Sequence, residues 1–301
     1  MTAGGKVNAY AAQAFADFIL DWLVRNRHRF APQDQRANLQ LAAAALQTAT
    51  TGPYNPAHSN PDHEAEGGSA TGVFACFHRV SHTTAIMHAG SIGDSALIVV
   101  HLRQSVARQL NPVHRKHDKD TGGQLTMCIG IDGPVWVVSR EITTDEILVL
   151  STDGLTDNLH LPELDRIIPL IISARVFDGI VPFACSEIPA RKPSLAYLQQ
   201  VCKGDLEPLT LVSCRVAGLR LFNYVEWVTR DFFKQEEVYY DLCLQMNALQ
   251  RDGLATGEDQ AEKLAGMQAQ AEEMSRARKA VAKTAKTDDA MIMVLQPFNR
   301  L

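Results

Sequence analysis

Short runs of β-forming residues, separated by turn residues, occupy the middle of this sequence. The runs are Gly72 to Val80, Thr84 to Ala89, Ala96 to Leu102, Val135 to Ser139 and Glu146 to Ser151. They predict strands, the first three as an antiparallel meander. Residues 157–286 have a mainly helical pattern with one strand candidate at Leu209 to Val216, and a last strand is predicted at Met291 to Gln296. This order predicts a single mixed α+β domain over residues 1–301.

Three further segments are predicted to be helices. Apolar residues recur on one face from Asn8 to Asn26, which is typical of an amphipathic helix. A second helix is predicted from Gln33 to Gln47, after Pro32. A third is predicted from Glu258 to about Thr284, with acidic residues in its first turn and basic residues in its last turns, as the helix dipole favours.

Charge and composition exclude some classes of partner. The net charge is −5, whereas proteins that grip nucleic acid show a basic surplus or patch, so no nucleic-acid partner is predicted. The most apolar stretch, Ile167 to Cys185, contains Arg175 and Asp178, so membrane insertion is not predicted. The six cysteines show no C-x-x-C spacing, which favours reduced thiols in a soluble intracellular protein over a zinc site or a disulfide framework.

Acidic turns stand at the edges of three of the β-runs. The turns are Gly93-Asp94-Ser95, the segment Ser151 to Asn158, and Thr287-Asp288-Asp289. Strand ends hold carboxylates rigidly, and neighbouring carboxylates repel one another unless cations lie between them. Mg²⁺ and Mn²⁺ prefer such oxygen ligands, and a pair of these ions can activate a water for attack on a phosphoryl group. Each turn taken alone is better explained as an ordinary turn former.

Taken together and in order, these segments resemble the protein phosphatase 2C (PPM) family. The series runs from Gly68-Ser69-Ala70-Thr71 through Gly93-Asp94-Ser95 and Thr152-Asp153-Gly154-Leu155-x-Asp157-Asn158 to Asp288-Asp289 before the final strand. The resemblance is strong over residues 68–158 and 288–295 and weak over the helical region 159–286. It implies a four-layer α-β-β-α sandwich, in which two antiparallel sheets are flanked by helices.

The resemblance also implies an activity and a set of site residues. The activity would be that of a protein serine/threonine phosphatase, in which a metal-activated water attacks the phosphoester of a phosphorylated protein and two Mg²⁺ or Mn²⁺ ions are held. Asp153 and Asp288 would be direct ligands, and Asp94 would serve an additional, weaker metal. Thr71 and Asp289 would not bind the metal directly but would contact and position the ligands. Asp157 is expected to cap or pack rather than to bind metal.

The chain departs from the family pattern at its beginning. The family's first two strands, its phosphate-binding arginine and its metal-bridging aspartate have no counterpart, and Met1 stands where that aspartate is expected, ahead of Ala3-Gly4-Gly5. We therefore expect a truncated or degenerate copy with impaired hydrolysis. The alternative function is that of a pseudophosphatase, which would use the same fold as a binding or regulatory module. A third interpretation is an unrelated α+β protein whose acidic turns are coincidental.

Overall fold

The computed structural model describes residues 16–29, 34–51, 71–112, 135–159, 161–179, 193–251, 264–274 and 290–298. Within these ranges, seven strands form two antiparallel sheets. The strands are β1 (Gly72–Arg79), β2 (Thr84–Ile92), β3 (Ala96–His101), β4 (Val106–Gln109), β5 (Trp136–Thr143), β6 (Glu146–Ser151) and β7 (Ile292–Leu295). The first sheet has the order β1-β2-β5 and the second the order β4-β3-β6-β7.

Helices surround the sheets in the described residues. They are α1 (residues 16–26), α2 (Gln35–Thr51), α3 (Asp153–Thr156), α4 (Leu164–Ser173), α5 (Leu195–Val201), α6 (Cys214–Arg251) and α7 (residues 264–274). The predicted first and last helices are confirmed where residues are described, over 16–26 and 264–274. The second helix begins after Asp34 rather than at Gln33, because the Asp34 carboxylate accepts a hydrogen bond from the backbone N–H of Ala37 at 2.9 Å and so caps the first turn.

The predicted meander is wrong at its last step. β2 pairs with β1 and β5, whereas β3 lies in the other sheet, between β4 and β6. The chain crosses between the sheets at Gly93, whose φ of +86° lies in the left-handed region that favours glycine. The Gly93-Asp94-Ser95 turn is therefore a crossover between two sheets and not a hairpin.

An apolar layer separates the two sheets. Side chains alternate in direction along a strand, so Met87 and Ala89 of β2 face Leu97 and Val99 of β3 across this layer. Ile142, Leu148 and Leu150 complete the fully buried set between the sheets. At roughly 25 cal/mol per Å² of buried apolar surface, this layer is a principal source of the domain's stability.

Helices cover the outer face of each sheet. Phe18 and Ile19 of α1 and Leu46 of α2 pack with Phe74 and Ile92 on the first sheet. On the second sheet, the strands pack against α4, α5 and α6 through a larger cluster. Its helical members include Ile167, Ile168, Ile171, Leu198, Leu221, Tyr224 and Trp227. The predicted four-layer α-β-β-α arrangement with two antiparallel sheets is therefore confirmed.

The strand candidate at Leu209 to Val216 is wrong. Leu209–Leu211 forms a single 3-10 turn, and α6 begins at Cys214. The Ser213 hydroxyl accepts a hydrogen bond from the N–H of Val216 at 3.3 Å, so this residue starts a helix in the middle of the β-branched run. The other predicted strands are confirmed, and β4, which was not predicted, is an additional edge strand.

Among the described helices, none is both long enough and apolar enough to cross a lipid bilayer.

Candidate active site

Several strand ends meet at one end of the sandwich. β2 ends at Ile92, which lies opposite Gly72, the first residue of β1. In the second sheet Ser151, the last residue of β6, lies opposite both Ala96 of β3 and Ile292 of β7. The turns that follow or precede these residues must therefore gather at this end, which we call the turn end of the sandwich.

The register of the second sheet places Asp94 and Asp153 on neighbouring chain segments. Asp94 lies two residues before Ala96 and Asp153 lies two residues after Ser151, and Ala96 and Ser151 are paired. Because the two strands are antiparallel, both aspartates then lie just beyond the same end of the strand pair. Adjacent strands are about 4.8 Å apart there. The sequence-predicted residues Asp94 and Asp153 are thus brought to the turn end together.

The Asp94 turn is held by Thr71. The Thr71 and Ser95 hydroxyl oxygens are 2.9 Å apart, and Thr71 packs directly against the α-carbon of Gly93, where a methyl group would have no space. The Asp94 side chain between these contacts is only 4% exposed. Thr71 therefore supports the turn that carries Asp94; its role behind a metal ligand stays a prediction.

Asn111 fixes the same turn from the side of β4. Its amide nitrogen donates to the carbonyl oxygen of Ser95 at 2.7 Å, and its amide oxygen accepts from the N–H of Leu97 at 2.7 Å. The side chain therefore satisfies two backbone groups that β4 does not reach, one in the turn at Ser95 and one at Leu97 near the start of β3. The sequence analysis missed Asn111, and an asparagine just before Pro112, at the end of a short edge strand, is only a weak signal.

The Asp153 turn is a single helical turn on the end of β6. Asp153 begins α3, and its carbonyl oxygen accepts from the N–H of Asp157 at 2.7 Å. Gly154 and Leu155 are buried under it. Asp157 is the C-terminal capping residue of this turn and is itself buried, in keeping with the expected capping role.

Thr152 links the Asp153 turn to the final strand. Its N–H donates to the carbonyl oxygen of Met291 at 3.1 Å, and its hydroxyl accepts from the N–H of Met291 at 3.0 Å. Met291 follows Asp288 by three residues in the sequence. Asp288 and Asp289 themselves lie outside the described residues.

The donor chemistry at the turn end suits a hard cation, but the described set is incomplete. Asp94 and Asp153 offer carboxylate oxygens, which Mg²⁺ and Mn²⁺ prefer. In the part of the chain that the structure describes, no group of three or more histidine, cysteine, aspartate or glutamate side chains could hold a metal ion. Asp288, which lies outside the described residues, is the further ligand that the sequence predicts.

Comparison with known proteins gives similarity to solved structures only. No protein-family model matches the chain, and no curated protein matches it. The Mycobacterium tuberculosis serine/threonine phosphatase PstP/Ppp is similar at 14% identity, with a TM-score of 0.39, over 71% of this chain and 78% of that chain. The catalytic domain of PstP in complex with two manganese ions is similar at 13% identity, with a TM-score of 0.39, over 71% of this chain and 76% of that one.

A third similar structure is the S. agalactiae serine/threonine phosphatase. It shares 13% identity with a TM-score of 0.34, over 61% of this chain and 64% of that chain. All three of these solved structures are serine/threonine phosphatases.

Proposed function

We propose that this chain is a metal-dependent protein serine/threonine phosphatase that hydrolyses phosphoester bonds of phosphorylated proteins. The observation that supports this most directly is the gathering of Asp94 and Asp153 at one end of a double-sheet sandwich. Each residue lies next to one of two neighbouring strands, and the pair Ala96–Ser151 leaves both residues just beyond the same end of those strands. Two of the acidic turns that the motif series singled out, those of Asp94 and Asp153, thus lie at the same end of the sandwich.

The charge arrangement supports a role for divalent ions. Two carboxylates on adjacent strand ends repel one another, and a cation between them removes that repulsion. Asp153, Asp94 and Asp288 would hold Mg²⁺ or Mn²⁺, with Thr71 and Asp289 supporting them. Such ions, when bound, supply water activation and charge stabilisation for a phosphoryl group. The chain's own contribution is to fix the carboxylates: Thr71 and Asn111 hold the Asp94 turn, and Thr152 holds the Asp153 turn.

Phosphate release from a phosphoserine peptide tests the proposal. The wild-type chain should release phosphate with Mn²⁺, at the impaired rate expected from its sequence, and lose this activity when the metal is chelated. Asp153→Asn should lower the rate at least about tenfold, because loss of metal-site support costs that much or more. Asp145→Asn is the matched control, since Asp145 lies in the turn between β5 and β6, at the other end of β6 from Asp153.

Two results would contradict a metal-dependent phosphatase. One is hydrolysis that survives chelation, and the other is an equal rate in Asp153→Asn and wild type. A wild-type chain that binds the phosphopeptide but releases no phosphate would instead indicate the alternative function, a pseudophosphatase acting as a binding or regulatory module.

A further inference from the structure

One face of helix α6 is tied to the rest of the helical layer by polar and aromatic contacts. Arg220, Asn223, Tyr224 and Trp227 are spaced so that they share this face, and all four are buried. The Arg220 guanidinium donates to both carboxylate oxygens of Asp178, at 2.6 and 3.1 Å, and to the carbonyl oxygen of Ile172 at 2.6 Å. These contacts fix the position of α6 against α4 and the turn that follows it.

An aromatic cluster holds Tyr224 within this face. Its ring meets Phe177 edge-on, with ring centroids 5.8 Å apart, and lies 6.1 Å from Trp227. Trp227 in turn stacks on Tyr197 of α5. Packing of this kind restricts the ring of Tyr224 and so aims its hydroxyl in one direction.

The Tyr224 hydroxyl reaches the Asp153 turn. It donates to the carbonyl oxygen of Asn158 at 2.9 Å, and the Asn158 side-chain amide donates to the carbonyl oxygen of Gly154 at 2.8 Å. Both side chains are fully buried, with exposures of 0%. Burial also raises the pKa of Tyr224 well above its usual range, so the phenol keeps its proton and remains a donor.

The Asp153 turn is too short to hold itself. α3 spans only Asp153–Thr156, and a helix this short is not stable without tertiary contacts. The orientation of this turn therefore depends strongly on two hydrogen bonds from buried side chains. One goes to the backbone of the turn and the other to the residue just after it. Gly154 follows Asp153 in the chain, so a shift of the Gly154 backbone also shifts Asp153 and its carboxylate.

We propose that Tyr224 and Asn158 are positioning residues that hold the Asp153 turn in the geometry needed for divalent-ion binding. The inference rests on the proposed function, because it assigns a role to the same site. It gives the helical region, where the resemblance of motifs is weak, a direct part in metal affinity through one buried path from α6 to Asp153.

Calorimetric titration of Mn²⁺ into matched variants tests this inference. Tyr224→Phe removes the hydroxyl and keeps the aromatic packing. Asn158→Ala removes the side-chain amide that donates to Gly154 but keeps the backbone oxygen that accepts from Tyr224. It therefore breaks the second hydrogen bond independently of the first. Thr229→Val is the control, because it removes another buried hydroxyl of α6, one that bonds within the helix to Val225 at 2.7 Å.

We expect Mn²⁺ binding about tenfold weaker in Tyr224→Phe and in Asn158→Ala, and unchanged in Thr229→Val. Amide hydrogen exchange of Asp157 should also be faster in the first two variants than in the control, since its N–H bonds to Asp153. Equal Mn²⁺ affinity in Tyr224→Phe and wild type would overturn the inference, as would the same weakening in Thr229→Val. A wild-type chain that binds no Mn²⁺ would instead overturn the proposed function and take the inference with it.

Discussion

Thr152 and Met291 are joined by two hydrogen bonds, one in each direction. The Thr152 N–H donates to the Met291 carbonyl oxygen at 3.1 Å, and the Met291 N–H donates to the Thr152 hydroxyl at 3.0 Å. The second bond extends the β6–β7 ladder by one side-chain contact beyond the Ser151–Ile292 pair. It places the residue before Asp153 against the strand that follows Asp288 in the sequence.

Replacing Thr152 with valine should weaken this junction. Thr152→Val keeps the shape of the side chain but removes the acceptor for the Met291 N–H, which should lower the free energy of unfolding by about 1 kcal/mol. Thr152→Ser retains the hydroxyl and should recover most of the loss. Urea unfolding gives the free energy of unfolding of wild type and both variants. An equal loss of stability in the serine and valine variants would show that the Thr152 hydroxyl does not stabilise the junction.

Replacing Gly93 with alanine should strain the crossover between the sheets. Both Gly93 and Gly204 have a positive φ, of +86° and +83°, but a methyl group at Gly93 would come within 2.4 Å of Thr71, whereas nothing lies within 4 Å at Gly204. Gly204→Ala therefore changes the backbone preference alone. Gly93→Ala should destabilise the fold by about 1–3 kcal/mol more than Gly204→Ala, the usual cost of overpacking. Equal losses in chemical denaturation would rule out the contact with Thr71.

Asp178 should make stability depend on acidic pH. The hydrogen bonds from Arg220 lower the pKa of this carboxyl, burial opposes the shift, and the charges of Arg220 and Arg175 add to it. Because the folded-state pKa is lowered, the contribution is complete above the unfolded-state pKa and is lost as pH falls through the folded-state pKa. The stability difference between wild type and Asp178→Asn should therefore shrink as the pH falls below about 5. A constant difference in urea midpoints over this range would contradict the prediction.

His88 should add a second pH dependence, nearer neutrality. This residue of β2 is buried under α2, with the Asn38 amide nitrogen 3.4 Å from its Nε2, and Cys76 and His78 of β1 face the same side of the sheet. Burial lowers the pKa of His88, and the charge of His78 lowers it further. The unfolded chain then binds the proton more readily, so stability is complete above the unfolded-state pKa and declines as pH falls below about 6.5. Melting temperatures of wild type should fall over this range, and His88→Gln should fall less; parallel curves would contradict the assignment.

The sequence predicted most elements of the fold but not how the strands are divided between sheets. The runs Thr84 to Ala89 and Ala96 to Leu102 look like neighbours because a turn-forming segment joins them. Each of these two strands has one partner nearby in the sequence and one that is distant, as in the pairs Ser91–Trp136 and Ala96–Ser151. Strand pairing over such separations depends on packing of the whole core, which a local pattern does not contain.

Two local errors have equally physical causes. β4 was not predicted because it is a short edge strand in which only Ala107 is buried and Arg108 points outward. Leu209 to Val216 was predicted as a strand because of its β-branched residues, but Ser213 caps a helix within it. The first segment is a strand in spite of its weak β-pattern, and the second is not a strand in spite of its β-propensity.

For the site, the order of the motifs predicts candidate residues, and the structure shows what holds the turns on which Asp94 and Asp153 lie. Thr71, Asp94 and Asp153 are predicted from the order of motifs that resembles one family, since each turn alone is an ordinary turn former. Tyr224 gives no such signal, since a buried tyrosine in a helix is an ordinary core residue and its partner Asn158 is 66 residues away. Positioning residues of this kind are found from the structure, because their role depends on a contact and not on a motif.

Calorimetric titration of Mn²⁺ into wild type, Asp153→Asn and Asp94→Asn tests the central claim most directly. If the turn end of the sandwich holds divalent ions, the wild-type chain will bind Mn²⁺, and Asp153→Asn will bind it at least about tenfold more weakly. Asp94→Asn will lose the weaker part of the binding, and Asp145→Asn, at the other end of β6, will match wild type. Identical titrations of wild type and Asp153→Asn would contradict the claim.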